Sequence, residues 1–133
     1  MFTLDYWLTG ILRTCELIVD RDAFVRTWIE GDYSITSIHY YGELFEQLAG
    51  DLHLDECVAQ FEPQLRRCGI FEAVSDFALS LHRLDRSVES GSDLKSSKIL
   101  LASPEWVMFQ AAAQRVLEAR RDSSVSSSAL SYS

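Results

Sequence analysis

Leu4, Leu8, Ile11, Cys15 and Ile18 recur at steps of four, three, four and three. That spacing lines one face of a helix with 3.6 residues per turn and cannot line one face of a strand, where side chains alternate. Trp7, Leu12 and Val19 widen the stripe, which suits a helix packed on more than one side. The same period returns in Leu54, Val58, Phe61, Leu65 and Cys68, and again in Ile70, Val74, Phe77, Leu81 and Leu84. Trp106, Phe109, Ala113, Val116 and Leu117 give a closing stripe. Six Gly and two Pro among 133 residues are too few for the many tight turns of a β-sandwich. The length suits one domain with one core. The expected fold is all-α, a single-domain helical bundle of five or six helices over residues 1–121.

Local signals mark the ends of these helices. Thr3 suits the N-cap of the first helix, and Asp22 the cap of a second that carries Phe24, Val25, Trp28 and Ile29 and stops at Gly31. Ser34 is expected to cap a third helix over about 35–49, with Ile38, Tyr41, Phe45 and Leu48 inward and Gly50 at its end. Asp55 is the expected cap of a fourth. Pro63 interrupts that helix; it either kinks it or starts a new one at its first position, and the unbroken apolar stripe favours a kink. Gly69 closes the fourth helix, and a fifth fits 70–84. Residues 87–97 are small and polar and read as a loop. The run Lys98–Ala102 is short and apolar, a strand or a packed extended segment near 98–102. Ser103-Pro104-Glu105 carries a cap, a proline at the first helical position and an early acid, all marks of a helix start. Residues 122–133 form a Ser-rich tail with little to bury, expected to be disordered.

The charge is unevenly placed. From residue 27 to residue 65 there is no Lys or Arg, while Glu30, Asp32, Glu43, Glu46, Asp51, Asp55, Glu56 and Glu62 all fall there. These eight acids account for the whole net charge of −8; acids and bases balance elsewhere. Affinity for nucleic acid comes mainly from neutralising phosphates, so no nucleic-acid partner is expected. An acidic protein attracts basic proteins and speeds their encounter. No apolar run is long enough for a membrane span, and the N-terminus lacks a basic leader region. Cys15, Cys57 and Cys68 cannot all pair within one chain, which fits reduced thiols and a cytoplasmic location.

Tyrosines and histidines interleave with the acids. The partner-binding candidates are Glu30, Asp32, Tyr33, His39, Tyr40, Glu43, Glu46, Asp51, Asp55 and Glu56, with Tyr33 and Tyr40 as anchors, since interfaces favour a buried ring with a wet hydroxyl. The plainer reading is a solvated face that keeps the protein in solution. Ordinary solvated helices, however, mix both signs and gain from pairs one turn apart. His53 and Cys57, with Cys68, His39 or Asp55, lack the close pairing of zinc ligands, so no metal or cofactor is expected. No Gly-x-Ser-x-Gly and no Gly-rich phosphate loop occurs. Asp55 and Glu56 read as cap and first turn rather than an acid–base pair, and no catalytic residue is assigned.

The acidic, tyrosine-bearing block and the Ser103-Pro104-Glu105-Trp106 opening give the chain an outline that resembles the small acidic all-helical immunity proteins of bacteria, which protect against colicin-type and contact-dependent inhibition toxins. The resemblance implies a non-catalytic protein that neutralises a basic, nuclease-like toxin by occluding its active or nucleic-acid-binding surface, with acids standing in for phosphates. The alternative is a helical adaptor or chaperone for a secreted or assembled partner, working through exposed apolar surface. A small helical enzyme is the third possibility.

Overall fold

The computed structural model describes residues 3–90 and 96–131, with side chains as far as residue 122. The fold is all-α, and no strand occurs among the described residues. In chain order the elements are α1 (Leu4–Val19), α2 (Arg21–Phe24) continued by a π-helical turn (Val25–Ile29), α3 (Tyr41–Phe45) continued by another (Glu46–Asp51), α4 (Leu54–Gln60), α5 (Glu62–Arg67), α6 (Phe71–Ser90), α7 (Ser97–Ala102) and α8 (Pro104–Ser131).

Three long helices make the frame: α8 packs against both α6 and α1. The stripe of α1 is buried through Leu8, Ile11, Cys15 and Ile18, and that of α6 through Val74, Phe77, Leu81 and Leu84. Trp106, Phe109, Ala113 and Val116 supply the face of α8, joined by Ala112. Phe77 stacks on Phe109 at 5.2 Å between ring centres. Gln110 donates from Nε2 to the Ile18 carbonyl at 2.9 Å, tying α8 to the end of α1. Each large apolar side chain buried in this frame contributes about 1.5–3 kcal/mol.

The caps are partly where the sequence puts them. The Thr3 hydroxyl accepts from the Tyr6 amide. Ser103 Oγ accepts from the Trp106 amide and donates to the Leu100 carbonyl, so one side chain joins α7 to α8. For α2 the cap is Asp20, not Asp22, because its carboxylate reaches the Ala23 amide. Gly31 does end that helix, at φ +78°, with the Asp32 amide closing onto the Arg26 carbonyl.

Elsewhere the structure corrects the sequence reading. The third helix begins at Tyr41 rather than near 35, so Ser34 caps nothing; residues 30–40 form a loop in which only Ile38 is buried. Gly50 lies inside the π-helical turn rather than after it. The Asp55 cap is also overturned: His53, at φ +44°, precedes the first residue of α4, and Asp55 lies within the first turn. At Pro63 the chain divides into two helices instead of one kinked helix. The break falls at Phe61, and Pro63 takes an early position in α5, where its missing N–H is no loss. The apolar stripe survives the break, since Leu54, Cys57, Phe61 and Leu65 are all buried.

The run near 98–102 is helical, not extended: α7 turns Leu100 and Leu101 into the core and leaves Ile99 exposed. Of the expected loop 87–97, residues 87–90 belong to α6, 91–95 lie outside the described residues, and Ser96 precedes α7. The helical span of α8 takes in residues 122–131, with no Gly or Pro after Pro104 to stop it; residues 132–133 lie outside the description.

Candidate functional site: an acidic segment held at its edges

The loop over 30–40 exists because its residues offer the backbone local partners other than helical ones. The Asp32 carboxylate accepts from both the amide and the hydroxyl of Ser34, at 3.1 and 2.6 Å; these two bonds, first the hydroxyl and then the amide, hold its pKa below the usual carboxylate range. Thr36 Oγ1 accepts from the Ile38 amide. Such side-chain bonds compete with a helix. The loop is then fastened from behind: Trp28 donates from Nε1 to the Ile38 carbonyl at 2.9 Å, and Trp28 itself lies against Phe24 and Trp106.

On the outer side Tyr33 lies against His39, ring centres 4.5 Å apart. Tyr33 and Tyr40 are 60% and 58% exposed, so most of each ring faces solvent. Tyr40 leans over Gly42, where a Cβ would come within 2.7 Å of its ring. Gly42 therefore makes room for the tyrosine ring. Ile29 and Ile35 are also exposed and add apolar area around the tyrosines.

The acids divide into two groups. Glu30, Asp32, Glu46 and Asp51 are exposed and Glu43 is half-buried in the first turn of α3. Among the described residues none of these five takes part in an ion pair. The others have partners: Asp55 meets His82 of α6 at 2.6 Å, Glu56 meets His53 at 3.7 Å, and Glu62 meets Arg66 at 2.8 Å. Arg66 also reaches Glu72 and lies over the Phe71 ring. The ten candidates are therefore not one uniform surface. Glu30, Asp32, Glu43, Glu46 and Asp51 stand outside the ion pairs of the described residues, Asp32 within the field of Arg26, while Asp55 joins α4 to α6 and Glu56 pairs with His53 at the entry to α4.

His82 is the residue whose role the sequence concealed. It sits 27 positions from Asp55, and no local spacing links them. Tyr41 is the second: its hydroxyl donates to Asp85 on α6 at 2.8 Å, and burial, then that bond, raises its pKa. These two contacts fix the acidic segment to the frame.

Chemically the segment offers carboxylates and phenols on a surface. No three of His, Cys, Asp and Glu gather to hold a metal ion among the described residues. Cys57 is buried, which raises its thiol pKa, and His53 is exposed. Among the described residues no helix is long and apolar enough to cross a membrane. Neither a family model, a curated protein nor a solved structure matches this chain.

Proposed function

We propose that this protein is a non-catalytic binding module for a basic protein and, in its sharpest form, an immunity protein that covers the active or nucleic-acid-binding surface of a nuclease-like toxin. The observation that carries the reading is the combination, in one segment, of five acids outside any ion pair among the described residues with two exposed tyrosines. Like charges left together cost stability, a few tenths of a kcal/mol per close pair. A cationic partner would remove that cost and give Tyr33 and Tyr40 something to bury against.

The test has two stages. Affinity capture from the native cell at low salt, with the retained protein identified by mass, should yield one basic, nuclease-like partner in equal amount. Its association rate should fall steeply as salt rises, and should fall again in the variant Glu43→Lys with Glu46→Lys, whose circular dichroism stays that of the native chain. A neutral or acidic partner, or an association rate indifferent to the two reversals, sinks the reading.

A further inference from the structure

On the frame, away from the acidic segment, a groove of about 300 Å³ runs between α6 and α8. Asp76, Leu79 and Arg83 line it from α6, and Met108, Ala111 and Arg115 from α8. Leu79 is 50% exposed and Met108 57%, although both stand on helices whose inner faces are buried in the core. Neither arginine is in an ion pair among the described residues. The lining positions on the two helices keep the same numerical offset as the stacked pair Phe77 and Phe109. Parallel neighbours produce that pattern. On this register Arg83 and Arg115 share one end of the groove, and Asp76 lies at the other. Seven residues separate Asp76 from Arg83, about 10 Å along a helix.

We propose that this groove is a docking site for one amphipathic helix of a partner protein, with apolar side chains over Leu79 and Met108, a carboxylate between Arg83 and Arg115, and a Lys or Arg two turns away at Asp76. A groove between adjacent helices that presents apolar side chains, here Leu79, Met108 and Ala111, among polar ones is a surface on which a third helix packs. The two charged ends are opposite in sign, so they set the direction of the incoming helix. An occupant with one charge of each sign is neutral at the site and meets little repulsion from a chain of net charge −8. A second copy of this chain carries the same net charge and is disfavoured by it. The inference does not depend on the acidic segment, and the two stand or fall separately.

The test uses the full chain and a labelled helical peptide of about five turns. The peptide carries leucines on one face, and a Glu and a Lys two turns apart beside them. Fluorescence anisotropy should show saturable binding. The same peptide with its Glu replaced by Lys should bind roughly tenfold more weakly. The variant Arg83→Glu with Arg115→Glu should reverse that preference, and Leu79→Ser should weaken both peptides. All three substituted side chains are exposed, and circular dichroism checks that the fold is kept. No saturable binding, equal binding of the two peptides, or an unreversed preference in the double variant each overturns the proposal. Concentration-dependent dimerisation abolished by Leu79→Asp would assign the groove to a second copy and overturn it as well.

Discussion

Within the frame of α1, α6 and α8, Ile11, Ile18, Phe77, Trp106 and Phe109 are fully buried, and the helices run for many turns in contact. Between residues 30 and 40 a single side chain, Ile38, is buried, and the loop is fixed by one indole bond and a few short-range turns. The frame is held by area removed from water, a force without direction that rises with every apolar contact. The acidic loop is held by a handful of directional bonds, each contributing about 1 kcal/mol net. One region can lose a surface charge and notice little, whereas the other can lose its shape with one atom. A surface meant to meet a partner sits more naturally on the second kind, where side chains face outward on backbone that the frame positions from behind.

Five variants would break or sharpen that contrast. The largest effect should come from Phe77→Ala, which empties a stacked core position and should cost about 3–5 kcal/mol in chemical denaturation. The double reversal Glu43→Lys with Glu46→Lys should cost nothing measurable. Equal losses in the two variants would erase the distinction between frame and segment.

Next in size is Trp28→Phe, which keeps a ring against Phe24 and Trp106 but removes the donor to the Ile38 carbonyl. A loss of about 1 kcal/mol is expected. Hydrogen exchange should quicken over 30–40 and stay unchanged in α6 and α8. Acceleration spread evenly over the chain would mean that the loop is not a separately held unit.

Tyr41→Phe tests the tie between α3 and α6. Its neutral form is favoured in the folded protein, because burial and the bond to Asp85 raise its pKa. Its contribution to stability is therefore complete below the ordinary tyrosine pKa of about 10 and is lost as pH rises above it. Native stability should fall in that alkaline range, and the variant should show a shallower fall. Parallel curves would remove Tyr41 from the account.

A small effect is expected at His53, whose φ of +44° is unusual for a residue with a side chain. His53→Gly relieves that conformation and gives up an exposed pair with Glu56. The net change should stay within about 1 kcal/mol, read as a small shift in the denaturation midpoint. A larger loss would show that the α4 entry depends on the histidine side chain.

The frame was legible because burial there lasts long enough for a period to show. The stripes of α1, of Ile70 to Leu84 and of Trp106 to Val116 need only spacing, and Ser103 caps α8 through the hydroxyl that its position suggests. The segment was less legible because its decisive bonds are either very local or very long-range. Ser34 reads as a cap but serves Asp32 instead, and Asp55 reads as a cap but answers His82 from another helix. The run 98–102 is too short to display a period, and it took tertiary packing to decide that Ile99 faces out while Leu100 and Leu101 face in. Which acids would find a partner was legible in part, since Glu62 with Arg66 and Glu56 with His53 are pairs one turn apart, whereas the partner of Asp55 comes from another helix.

The indole of Trp7 has a further consequence, for the order of events in refolding. It donates to the Leu52 carbonyl at 2.7 Å across a sequence separation of 45 residues, and so closes the end of the acidic segment onto α1. Bringing together points so far apart carries an entropic cost on the order of 3 kcal/mol, whereas α6 can form from neighbours along its own chain. Closure is also the step at which the carboxylates of the segment are first confined. Added salt should therefore accelerate the approach to the native state in stopped-flow tryptophan fluorescence, even with no partner present, by screening a repulsion that the extended chain does not feel.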